Sequence, residues 1–156
     1  MFKKFPQNIN LMISKASTNP SDIRIITVTL KALTNLTYYS REPEIYKAIF
    51  NSLIDHLIFS VLSSFPKKQL IFVLLVRLIR NLFLYNKETT DQIIKKFNIP
   101  QLIRVYNNIK GQNVTLVEEM CEMLTQVVLY MEDYNLNEAA IYLISKDLID
   151  IMIEGC

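Results

Sequence analysis

Apolar helical segments separated by short polar breaks run along the whole chain, and the most apolar one is Leu70–Tyr85. Arg77 and Arg80 interrupt this segment, which is also shorter than the ~20 apolar residues that a membrane span requires. A helix that is apolar almost all round is typically packed on several sides. The pattern therefore predicts a helix buried between neighbouring helices.

The second half of this segment has two relatives elsewhere in the chain. Residues 78–85 resemble residues 32–39 and residues 123–130. An amide side chain occupies the same place in all three, at Asn35, Asn81 and Gln126. The intervals between these amides are 46 and 45 positions. A regular spacing in the mid-forties is typical of an α-solenoid.

A second element repeats with nearly the same period. Leu53-Ile-Asp-His-Leu-Ile58 resembles Leu148-Ile-Asp-Ile-Met-Ile153, which lies 95 positions later, and Ile99–Ile103 falls at a compatible place between them. We therefore expect one domain of about three repeats, centred near 22–63, 67–109 and 114–154. A non-repeating helical bundle of similar composition is the alternative.

Each repeat is predicted to contain a long, a short and a middle helix. Asp22 supplies N-cap chemistry for the first long helix, and Pro43 is suited to the first turn of the helix that follows. Apolar residues cover most of the first long helix, which again predicts packing on several sides. The predicted helices are 8–16, then 22–39, 43–51, 53–63, 67–86, 88–97, 99–109, 114–131, 135–144 and 147–154.

Two stretches, Arg77–Asn86 and Gln92–Ile103, carry a resemblance to the armadillo repeat. That family has a helix ending in Leu-x-Asn-Leu, a polar loop, a short helix and a Gly-x-Ile-Pro-x-Leu-Val motif. This chain has Phe97-Asn98 where the family often has Gly, and Asn also adopts the left-handed conformation. The resemblance covers residues 22–154 and implies an all-α, right-handed α-solenoid. HEAT-type repeats have a similar period and are an alternative to the armadillo type.

The resemblance also implies which residues meet a partner, because armadillo arrays line their concave surface with the long helices. Asn35, Asn81 and Gln126 would then form a ladder of amides able to pair with any peptide backbone. Arg77 and Arg80 share a helix face. With Lys31 they would form a mildly basic strip, tempered by Glu122, for an extended or acidic segment.

The alternative role for the same polar residues is structural. An amide near a helix end also caps backbone groups or bonds a neighbouring loop, and the charged residues also fit a solvated stripe. Lys31, Arg77 and Glu122 stand where importin-alpha-like members have Trp, and the chain contains no Trp. This departure argues against binding of nuclear localisation signals.

Composition excludes several other functions. The net charge of +2 is too small to indicate nucleic acid. Glycine-rich phosphate loops, metal-ligand clusters and nucleophile motifs are missing, His56 is the only histidine, and Glu118, Glu119 and Glu122 read as ordinary helix-face carboxylates. We therefore expect neither an enzyme nor a cofactor. Tyrosines recur at the ends of the long helices, at Tyr38, Tyr39, Tyr85 and Tyr130. We expect them to pack between repeats rather than to stack on RNA bases.

The two cysteines and the N-terminus bear on location. Cys121 falls on an apolar helix face and is expected to be buried, and two cysteines fit a reducing compartment. The first residues lack the apolar run of a signal peptide. We expect a cytoplasmic protein, with nuclear, cytoskeletal and mitochondrial locations left open.

These features favour a non-catalytic adaptor or scaffold that binds a protein segment on its long helices. A structural subunit of a large assembly is the alternative, because Leu148–Ile153 forms an apolar terminal helix that lacks a covering neighbour. The chain would then be a fragment of a longer array or a short solenoid that docks by its end. A chaperone cofactor is the third expectation.

Overall fold

The computed structural model describes residues 5–19, 21–40, 42–52, 54–64, 67–83, 99–109, 114–133, 149, 150 and 153. The regular structure in these residues is entirely helical, which confirms the all-α prediction for them. The helices are α1 (Phe5–Thr18), α2 (Ile23–Tyr39), α3 (Pro43–Asn51), α4 (Ile54–Ser64), α5 (Gln69–Phe83), α6 (Ile99–Ile109) and α7 (Val114–Asp133).

The predicted bounds agree with these helices to within a few residues. The bounds of α3 and α6 match the predicted 43–51 and 99–109. The predicted short helices 88–97 and 135–144 lie outside the described residues, as does most of 147–154, of which residues 149, 150 and 153 are helical.

Local chemistry sets both ends of α2 and the start of α3. The Asp22 carboxylate accepts hydrogen bonds from the backbone N–H groups of Arg24, at 2.9 Å, and Ile25, at 3.3 Å. These bonds satisfy donors that the first turn of a helix leaves unpaired. Ser40 ends the helix in an extended conformation, and Pro43 occupies the first turn of α3. The capping predictions for Asp22 and Pro43 are confirmed.

The centre of the fold is α5, which packs against α2 on one flank and α7 on the other. Its residues from Ile71 to Phe83 are buried apart from Arg77 and Arg80, which are partly exposed. The predicted burial of this helix between neighbours is confirmed, with Leu70 as its exposed start. Among the described residues, no helix is both long and apolar enough to cross a membrane.

Packing around α2 is less complete than its apolar sequence predicts. The helix packs against α5 on one side and against α1 near its N-terminal half, while α1 also contacts α3 and α4. Ile26, Leu30 and Leu33 are buried, but Val28 is 65% exposed. The prediction that α2 is covered nearly all round is wrong at Val28.

The central position of α5 leads to a stability prediction. Leu75→Ala removes a fully buried side chain at the middle of α5, and we expect it to lower the free energy of unfolding by about 2–5 kcal/mol. Leu70→Ala makes the same change at an exposed position of the same helix, with an expected loss within about 0.5 kcal/mol. Urea denaturation of both variants checks this, and equal losses would contradict the central packing of α5.

Candidate partner-binding groove

A groove of about 490 Å³ runs between the exposed edges of α2 and α5, and α7 reaches its far wall. We call it the α2–α5 groove. Five of the six residues predicted to contact a partner line it: Lys31, Asn35, Arg77, Arg80 and Asn81. Gln126 is half-buried and is not part of the lining. The structure therefore brings most of the predicted residues together, although they play different parts.

Asn81 forms the floor of this groove and ties α5 to α2. Its Nδ2 group donates to the Thr34 carbonyl at 3.2 Å and to Thr37 Oγ1 at 3.3 Å. The side chain is only 2% exposed, and its Oδ1 atom accepts no hydrogen bond from the described part of the chain. The predicted ladder of accessible amides therefore fails at this position, because the amide is already engaged between two helices.

Further hydrogen bonds hold the wall that α2 contributes. Thr34 Oγ1 donates to the Leu74 carbonyl on α5 at 3.3 Å. Tyr46 on α3 donates its hydroxyl to the Thr37 carbonyl at 2.7 Å. All of these polar groups are buried, where each unpaired one would carry a desolvation cost of roughly 1–3 kcal/mol. The C-terminal half of α2 is thus fixed to both α5 and α3.

On the opposite wall, two arginines of α5 pair with two glutamates of α7. Arg77 Nε donates to Glu119 Oε1 at 2.6 Å, and Arg80 lies 2.8 Å from Glu119 Oε2. Arg80 also pairs with Glu122. Glu119 is 6% exposed, so both arginines are needed to compensate for the desolvation of its carboxylate. The predicted basic strip is therefore largely neutralised, and Lys31 is the groove cation without an ion-pair partner among the described residues.

Glu119 is a groove residue that the sequence does not predict. Its position indicates an ordinary carboxylate on a helix face. A signal for it exists in the spacing. Arg77 and Arg80 lie three positions apart, and so do Glu119 and Glu122. Each glutamate follows the corresponding arginine by 42 positions. Because neighbouring repeats place their long helices side by side, two such pairs at about one repeat's distance indicate a matched ionic contact.

Two tyrosines stand exposed at the end of α2 on the rim of the groove. Tyr38 is 64% exposed and Tyr39 is 80% exposed, and their rings contact edge to face with centroids 4.9 Å apart. The prediction that they pack between repeats is wrong for these two residues. Tyr85 and the side chain of Tyr130 lie outside what the structure describes.

Lys31 and Asn35 are exposed where they line the groove. Outside it, His56 is exposed, and Cys121 is half-buried against the core, less buried than the sequence predicts. Within the described ranges, His, Cys, Asp and Glu side chains form no group that would hold a metal ion.

Comparison of the chain with protein-family models, with curated proteins and with solved structures gives no match. The case for a function therefore rests on the groove itself.

The two asparagines of the groove are expected to differ in what they stabilise. Asn81→Ala removes two buried hydrogen bonds between α2 and α5, which we expect to lower the free energy of unfolding by about 1–3 kcal/mol. Asn35→Ala is the matched control, because this side chain is exposed and its loss is expected to change stability by less than about 0.5 kcal/mol. Thermal unfolding measures both, and a destabilised Asn35→Ala beside an unaffected Asn81→Ala would refute this assignment.

Proposed function

We propose that the chain is a non-catalytic protein-interaction module, an adaptor or scaffold, that binds an extended protein segment across the α2–α5 groove. The groove would lie on the long-helix surface of an armadillo-like, right-handed solenoid. The observation that carries the proposal is the cluster of accessible side chains on the α2 rim, namely Lys31, Asn35, Tyr38 and Tyr39.

The contacts between the long helices support the repeat architecture. Hydrogen bonds and ion pairs join α2 to α5, and α5 to α7, between residues that are 40 to 47 positions apart. These separations are close to the repeat period of the sequence. Each of the three long helices thus meets the next one at nearly equivalent positions, as stacked repeats require.

The chemistry of the rim fits a peptide more closely than a small substrate. The Asn35 amide carries donors and an acceptor that pair with a backbone irrespective of its side chains. Exposed tyrosines provide large contact areas at low conformational-entropy cost and are enriched at binding surfaces. Both rest on a wall fixed by buried hydrogen bonds, so little ordering is needed on binding.

Charge limits the kind of segment. Arg77 and Arg80 are held by Glu119 and Glu122, so a partner carboxylate must compete with these glutamates for them. Lys31 is exposed and has no such competitor in the described residues. We therefore favour a segment with few charges and one carboxylate near Lys31 over a strongly acidic one.

A second candidate function is a structural subunit that docks through its terminal helix. Ile149 and Ile153 are exposed and lie four positions apart, on one helix face. This exposed pair favours docking by the end of the chain and leaves the α2–α5 groove unused.

Affinity purification from the native cell separates the two candidates. The wild type is compared with a groove variant, Lys31→Ala with Asn35→Ala and Tyr38→Ala, and with an end variant, Ile149→Glu with Ile153→Glu. For the proposed function, a specific partner is lost from the groove variant by at least about tenfold, as for binding hot spots, and is kept by the end variant. Thermal unfolding confirms that both variants are folded.

The opposite pattern, with the partner lost only from the end variant, would overturn the adaptor proposal in favour of the structural subunit. The partner recovered in the first case is then titrated against the purified full chain. Equal affinities of wild type and groove variant in that titration would also overturn the proposal.

A further inference from the structure

The flank of α2 that faces away from α5 carries an apolar stripe. Its members recur at intervals of three or four positions, which is the spacing of a seam between two helices. None of them is fully buried, and the stripe comprises Ile25, Val28, Ala32, Leu36 and Tyr39. We call it the α2 flank. It adjoins the α2–α5 groove, because Asn35 and Tyr39 line both this groove and a hollow beside the flank.

Two hollows follow this flank. One, of about 340 Å³, lies between α1 and α2 and is lined by Met12, Lys15, Arg24, Ile25, Val28 and Thr29. The other, of about 640 Å³, lies at the C-terminal half of α2 beside Ala32, Leu36 and Tyr39. The stripe thus borders a shallow hollow toward each end of the helix.

The other side of the same helix indicates what kind of element fits. There α5 packs lengthwise against α2. A helix laid along the α2 flank would lie beside α1 on the side away from α5, with its own apolar stripe against Val28 and Leu36. Amphipathic helices that bind grooves do so through apolar side chains at helical spacing.

Charge then selects among helices. Lys15 and Arg24 are exposed, border the hollow between α1 and α2, and have no ion-pair partner among the described residues. They lie near the N-terminal end of α2, where the Asp22 carboxylate is already bonded to the backbone N–H groups of Arg24 and Ile25. At the other end, Glu42 borders the second hollow. The flank is therefore basic at one end and acidic at the other.

We propose that the α2 flank binds an amphipathic helix of a partner protein whose apolar stripe is bordered by carboxylates at the end that meets Lys15 and Arg24. This site is independent of the proposed function of the α2–α5 groove. The stripe runs from Ile25 to Tyr39, about four helical turns, which suits a helix laid along it. The unlike charges at its two ends give the bound helix a direction.

The test measures the binding of two synthetic helical peptides to the full chain by fluorescence anisotropy. Both peptides carry leucines at the same helical spacing. At the end designed to meet Lys15 and Arg24, one peptide has glutamates and the other has lysines. The glutamate peptide is expected to bind at least about tenfold more tightly than the lysine peptide. Lys15→Glu with Arg24→Glu is expected to reverse this preference.

Val28→Glu places a charge at the centre of the flank and is expected to weaken the binding of the glutamate peptide by about tenfold or more. The matched control is Val114→Glu, because Val114 on α7 is 66% exposed against 65% for Val28. Lys31→Ala is the second control, since Lys31 lines the groove and neither of the two hollows along the flank. Both controls are expected to bind the peptide as the wild type does, and a folded Val28→Ala variant to bind it more weakly.

Four results would each overturn the proposal. They are the absence of saturable peptide binding, equal binding of the two peptides, equal effects of Val28→Glu and Val114→Glu, and loss of binding in Lys31→Ala. Val28-dependent binding to phosphatidylserine vesicles without binding to the peptide would assign the flank to a membrane. Val28-dependent self-association in sedimentation, again without peptide binding, would assign it to a second copy of the chain.

Discussion

Burial of α5 on both flanks is the constraint on which the rest of the structure depends. A helix in that position has little access to water, so its buried polar groups depend on partners from neighbouring helices. The Asn81 Nδ2 group donates to Thr34 and Thr37 of α2, and Arg80 pairs with Glu119 of α7. These contacts add directional constraints to the apolar packing of the three long helices. The polar contacts fix their register.

The same constraint decides which residues are left for a partner. Asn81 and Arg80 point into helix contacts and contribute to the rigidity of the groove rather than to its accessible surface. Lys31, Asn35 and the tyrosine pair belong to α2, which contacts α5 on one side and α1 on another. The exposed surface of α2 carries the groove residues and, beside them, the apolar flank.

Much of the helical framework could be predicted from the sequence, because apolar periodicity and breaks at Pro, Asn and Ser are local signals. The bounds of α3 and α6 and the burial of α5 followed from them. The burial of Asn81 could not, since it depends on Thr34 and Thr37 from another helix. Glu119 was missed for a related reason: a carboxylate on a helix face looks solvated until its arginine partners are placed. The exposure of Tyr38 and Tyr39 was also missed, because sequence similarity between repeats does not tell which helix lacks a neighbour.

A double-mutant cycle on Arg80 and Glu119 measures how strongly a polar contact joins α5 to its neighbour α7. The free energy of unfolding is measured for the wild type, Arg80→Ala, Glu119→Ala and the double variant. We expect the double variant to be more stable than the sum of the single losses implies, with a coupling of about 1–3 kcal/mol. A coupling near zero, with additive losses, would contradict the claim that this ion pair joins α5 to α7.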